Sequence, residues 1–175
     1  MRRALLSRNE EGVVLVLCLI TLVLLTLIGI SATTTSQLEA EISGNDKTYK
    51  EAFYAAEVSL TAGETVVNSL LSRLDLNEGT TTGRYVKDTQ PKWDQLKWDN
   101  TDTAVVASDS IPVGLSKMSA PPRYTIEEKR FRRNSLVLGP DPSTGTYLFT
   151  VKGQGTGTNK AAQVLLESIY AKQYN

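Results

Sequence analysis

Few side chains in this 175-residue chain are equipped for chemistry. Histidine is absent and Cys18 is the single cysteine, which removes imidazole acid–base catalysis, zinc sites built on His or Cys, and an intrachain disulfide. Cys18 sits in an uncharged run with no ionisable neighbour to activate it, so its thiol reads as an apolar filler. Asp94, Asp99, Asn100 and Asp102 are rich in oxygen, but their spacing misses the calcium-loop pattern and no closing Glu follows. No metal is expected there. Gly153, Gly155 and Gly157 lack the GxGxxG spacing of a phosphate cradle and read as part of a flexible hairpin from Gly153 to Asn159.

Two clusters could serve binding instead. Lys92-Trp93-Asp94 and Lys97-Trp98-Asp99 nearly repeat, and Trp93 and Trp98 could present two aromatic rings as a surface contact; packing of both rings on a sheet is the favoured reading. Lys129-Arg130-Phe131-Arg132-Arg133 is the one basic concentration. Phe131 within it resembles a crude nucleic-acid patch, yet such a run also guards a sheet edge against aggregation, and nucleic acid is not the expected partner. With 19 basic and 19 acidic residues, no global charge draws the chain toward anionic partners. No nucleophile–base pair or ligand cluster is present, so no catalytic, cofactor-binding or metal residue is assigned, and the chain is not expected to be an enzyme.

The apolar residues are badly mixed along the chain. Val13 to Ile30 contains no charge in 18 positions, and 14 of them are Leu, Val or Ile. At about 1.5 Å per residue this run covers about 27 Å, close to the hydrocarbon thickness of a bilayer and longer than a signal-peptide apolar region. Arg2, Arg3 and Arg8 precede it, which predicts a cytoplasmic N-terminus and a single pass through the inner membrane. The residues after it, Ser31 to Ser36, offer no ordinary secretory cleavage site.

A helical rhythm continues past the span through Leu38, Ile42, Tyr49, Phe53, Ala56, Leu60, Gly63, Val67, Leu70, Leu71 and Leu74, mostly at spacings of 3 or 4. An unbroken helix from Val13 to Leu76 would measure about 96 Å, more than a domain of this size can bury. Gly29 and Gly44-Asn45 are its two weak places, and Asn77-Glu78-Gly79 supply a stop. Beyond Thr80, short β-prone runs alternate with turn residues: Arg84 to Val86, Ala104 to Val106, Tyr124 to Phe131, Tyr147 to Lys152 and Val164 to Tyr170. The last three predict an antiparallel meander whose Tyr147, Phe149 and Val151 face packs on the helix. The final run also fits helical spacing through Val164, Leu165 and Ile169, with strand favoured.

An α+β architecture follows, in four parts: a leader at 1–12, an apolar helix at 13–30, its amphipathic continuation at 31–76, and a β-rich domain outside the membrane at 77–175. Gly12-Val13-Val14-Leu15-Val16-Leu17, Leu27-Ile28-Gly29-Ile30-Ser31-Ala32 and Glu51-Ala52-Phe53-Tyr54-Ala55-Ala56-Glu57, in this order of parts, resemble the PilX-like minor pilins of the type IV pilin superfamily. Pro122 to Glu128 and Val164 to Tyr170 resemble the family's C-terminal domain less specifically.

The resemblance implies cleavage by a prepilin peptidase after Gly12 and methylation of the new amine on Val13. It implies a filament-core helix in which Val14, Leu15, Val16, Leu17, Leu19, Ile20, Leu22, Val23, Leu24, Leu25, Leu27 and Ile28 meet the helices of other major and minor pilins. The mature fifth position, a Glu in most pilins, is Leu17 here, which suits a place at or near the filament tip. The final location would be the pilus at the cell surface. A type II secretion pseudopilin shares the same physics, and a membrane-tethered adhesion module using Trp93 and Trp98 is the alternative of another class.

Overall fold

The computed structural model describes residues 7–70, 83–87, 90, 95–100, 103–107, 117–133 and 145–174. One helix, α1, runs from Ser7 to Ser69 without interruption, through both Gly29 and Gly44. Among the described residues its last amide hydrogen bonds come from Leu70, whose N–H is shared between the carbonyls of Val66 at 3.2 Å and Val67 at 3.3 Å. The expected end at Leu76 lies outside the described residues. Contacts divide the chain into two compact units, residues 1–45 and 46–175.

The second unit carries β1 (Arg84–Tyr85), β2 (Val105–Val106), β3 (Arg123–Arg133), β4 (Gly145–Thr156) and β5 (Gln163–Tyr174). β3, β4 and β5 form the expected antiparallel meander, and β5 is a strand throughout. β-Branched and aromatic residues fill the helix-facing positions of these strands at period two, and Thr125, Glu127, Thr150 and Lys152 on the opposite face are buried as well. The opposite edge of β3 receives β1 in parallel at Ile126 and Glu127, and β2 antiparallel at Arg123 and Tyr124. Gly83 opens β1 at φ +69°, where a Cβ would also collide with Val105, and its carbonyl accepts the Ile126 N–H at 2.8 Å.

The inner face of the sheet meets α1. Tyr124, Ile126, Tyr147, Phe149 and Val151 are buried against Ala62, Val67 and Leu70, with Phe131, Tyr170 and Tyr174 at the margin. Phe131 and Tyr147 stack with ring centroids 4.4 Å apart, and Tyr174 meets Tyr147 edge-on at 5.4 Å. The predicted Tyr147-Phe149-Val151 face is thus the core of the unit.

Two expectations are corrected. Gly153 and Gly155 belong to β4 rather than to a flexible hairpin, and both are buried. A Cβ on Gly155 would run into the Ala52 oxygen and the Ala56 nitrogen, one on Gly153 into Ser59, and one on Gly157 into the Thr48 carbonyl. The helix side that meets them is built from small residues, Ala52, Ala55, Ala56, Ser59 and Gly63. Tyr49 and Phe53, which the hydrophobic stripe assigned to the sheet, are 59% and 41% exposed. Close backbone approach explains both results. From Gly63 beside Val151 to Thr48 beside Gly157, 15 helical residues cover about 22 Å while 6 strand residues cover about 20 Å, so small residues stay in step with glycines along the whole seam.

Candidate functional site: the apolar helix and its anchorage

The residues expected to act lie in the first unit. Every large side chain of the span is exposed, from Val13 at 68% to Ile30 at 63%, and none of its residues is buried against the rest of the protein. Full burial of one Val, Leu or Ile is worth about 1.5–3 kcal/mol, so leaving fourteen of them in water would cost a few tens of kcal/mol. That is far more than a domain's stability. The helix is long and apolar enough to cross a membrane. Within it, Thr21 and Thr26 return their hydroxyls to the carbonyls of Cys18 at 2.9 Å and Val23 at 2.7 Å. Ser31, Thr33, Thr34 and Thr35 do the same one turn on, at 2.8–3.2 Å. The polar groups inside and just beyond the span therefore need no water.

At the junction, Gly12 lies within the helix with nothing within 4 Å of where a Cβ would stand. Leu17, five positions into the apolar run, is 61% exposed. Among the described residues no His/Cys/Asp/Glu group is arranged to hold a metal ion.

The second unit grips the C-terminal third of α1 by polar bonds spaced along it. Thr158 Oγ1 donates to the Glu51 carboxylate at 2.5 Å and Ser168 Oγ to Glu64 at 2.7 Å. Lys172 Nζ donates to the carbonyls of Val67 at 3.0 Å and Asn68 at 2.6 Å, and to that of Leu70. The lysine adds a donor to carbonyls in the last turn of the helix and places a cation at the negative end of its dipole. Sequence reading missed this role. The signal was a lone Lys on the inward side of the last strand, where an apolar residue is expected.

Trp93 lies outside the described residues. Trp98 is 8% exposed and packs with Leu96 and Ala104. Arg130, Arg132 and Arg133 are exposed on β3 past its pairing with β1, while Lys129 meets the buried Glu127 at 3.3 Å. Among the described residues no strand pairs with this stretch of β3 on the side away from β4.

Two family models match the chain: PilX N-terminal over residues 11–61, and type IV pilus assembly protein PilX C-term over residues 54–172. The chain belongs to the PilX family of type IV pilus assembly proteins. The two matches meet within α1, so the family's halves are joined by the helix that carries both the apolar run and the sheet. No curated protein and no solved structure matches the chain significantly. As a PilX-like minor pilin it has the α+β pilin fold, a membrane-anchoring apolar helix and a structural part in type IV pilus assembly with other pilus components.

Proposed function

We propose that the chain is inserted with its N-terminus in the cytoplasm, cut between Gly12 and Val13, and drawn into a type IV pilus by its apolar helix, at or near the tip. The observation that carries this reading is the exposed, uncharged Val13–Ile30 surface. In a bilayer lipid covers it; in a filament the helices of neighbouring pilins would, so transfer from one to the other keeps the same side chains out of water. Cutting before the run leaves the anchor on the mature chain.

Leu17 supports the tip placement. A subunit lacking a carboxylate at that point has no acid in its span with which to accept a preceding subunit's terminal amine, but its own Val13 amine remains available to the next subunit. At a tip no predecessor exists. Partners would be major and minor pilins along the helix, and prepilin peptidase at the junction.

Intact-mass measurement of protein from membranes and from sheared pili tests the proposal. A mature chain beginning at a methylated Val13 and recovered with pili is expected. An intact Met1, a cut among Ser31 to Ser36, or absence from pili overturns it.

A further inference from the structure

The bond that the proposed cut would open is held inside a helix. α1 begins at Ser7, so Gly12 and Val13 stand about a turn and a half within it. By the bonding pattern of an α-helix, the Gly12 carbonyl accepts from the N–H of Val16, and the Val13 N–H donates to the carbonyl of Asn9. Hydrolysis joins the oxygen of a water to the Gly12 carbonyl carbon, breaks the bond to the Val13 nitrogen and delivers a proton to that nitrogen. A peptidase must aim donors at the Gly12 oxygen and a proton at the Val13 nitrogen, groups that the helix already engages. Nothing in the folded chain itself asks for glycine at this point. A Cβ on Gly12 would meet nothing within 4 Å, and among the described residues the one glycine with a positive φ is Gly83. Gly153 and Gly155 are the contrast, with Ser59 and the backbone of α1 where a Cβ would stand.

We propose that Gly12 is a positioning residue for the cut: it weakens the helix so that the first turns open from Ser7 as far as Val13, and the peptidase acts on the opened minority of chains. Relative to Ala, a Gly in a helix interior favours the open form about fivefold. Opening runs in one direction. Beyond Val13 it would free backbone groups along an uncharged run that has no water around it once inserted, whereas Arg8-Asn9-Glu10-Glu11 on the other side is polar. The rate of cutting then scales with the fraction of chains that is open. The inference rests on the reading that the chain is cut between Gly12 and Val13, and adds what sets the speed of that step.

The test follows the full chain in cells by pulse-chase, scoring leader removal by mass in the membrane-inserted fraction alone, so that slow insertion is not counted as slow cutting. It compares the parent with Gly12→Ala, with Glu10→Gly, and with the two combined. Hydrogen exchange at the Val16 amide of the uncut, detergent-solubilised chains, made in cells lacking the peptidase, measures the opening directly. Gly12→Ala is expected to be cut at the same bond about fivefold more slowly and to exchange about fivefold more slowly at Val16. Glu10→Gly alone should speed both about two- to threefold, and the combined variant should return both to within about twofold of the parent. Gly12→Ala cut at the parent rate overturns the inference. So does a combined variant cut as slowly as Gly12→Ala although its Val16 exchange has recovered, which would assign the glycine to a fit in the peptidase. A parent that is never cut at this bond instead overturns the processing reading itself.

Discussion

Lys172, two residues from the end of β5, donates its ammonium to the Val67 carbonyl at 3.0 Å and the Asn68 carbonyl at 2.6 Å, so the last strand closes the last turn of α1. The ammonium also lies 5.1 Å from the centre of the Tyr174 ring. Lys172→Met keeps the length of the stem but removes the donor that the Val67, Asn68 and Leu70 carbonyls receive from the strand. A loss of about 1–3 kcal/mol is expected in urea unfolding of the detergent-solubilised chain. Lys172→Arg, which retains a cation and donors, should recover part of it. An unchanged midpoint for Lys172→Met would show that water serves the helix end equally well.

The helix–sheet seam predicts opposite outcomes for one substitution at two glycines. Gly155→Ala places a methyl group on the helix backbone at Ala52 and Ala56, which cannot yield as a side chain would, and should destabilise the second unit by about 3 kcal/mol. Gly44→Ala adds a methyl with nothing within 4 Å in the middle of a helix, and should stabilise it by about 0.5–1 kcal/mol. Amide hydrogen exchange reads both, with protection falling across β4 in the first variant and rising up to about fivefold around residue 44 in the second. A neutral Gly155→Ala would mean that helix and strand are not held at backbone contact.

That seam also marks where sequence reading stopped. Tyr147, Phe149 and Val151 announced a buried strand face because period two is unambiguous when large apolar residues alternate with polar ones. Val13 to Ile30 needed only its length and lack of charge. The buried helix side was read in part: Ala56, Leu60, Gly63, Val67 and Leu70 of the stripe meet the sheet, but a hydrophobicity pattern also gives weight to Tyr49 and Phe53 and passes over Ala52 and Ser59, which are chosen for smallness. Its counterpart was visible as Gly153-x-Gly155-x-Gly157, three glycines at strand spacing, but glycine signals turns as readily as close approach. The β5 register was equally hidden. Pairing depends on long-range geometry that a local pattern does not contain.

Alkaline pH should expose one tertiary contact. The Tyr85 hydroxyl donates to the Thr103 carbonyl at 2.9 Å, and burial raises its pKa above the ordinary 10.0. The folded state therefore favours the protonated phenol. The contribution is fully present below the unfolded value, about pH 10, and is lost as pH rises through the higher folded value. Tyr85→Phe should lower stability by about 1 kcal/mol at neutral pH and flatten the alkaline decline in thermal unfolding above about pH 10. A decline as steep in Tyr85→Phe as in the parent would assign it to other groups.

Leu17 supplies the test of position. In the parent chain no carboxylate lies anywhere between Val13 and Ile30, so nothing in the span can compensate the amine of a subunit ahead of it. Leu17→Glu restores such a group, and an ionised Glu in an apolar bundle is tolerated only beside a cation, here the Val13-type amine of a neighbour. On the proposed tip placement, the substitution should turn a subunit confined to filament ends into one that can follow others. Immunogold labelling of pili is expected to show the parent at tips and Leu17→Glu along the shaft, with several-fold more copies per filament. Even labelling of the parent along the shaft would remove the tip assignment, and an unchanged distribution in the variant would show that the missing carboxylate is not what sets the position.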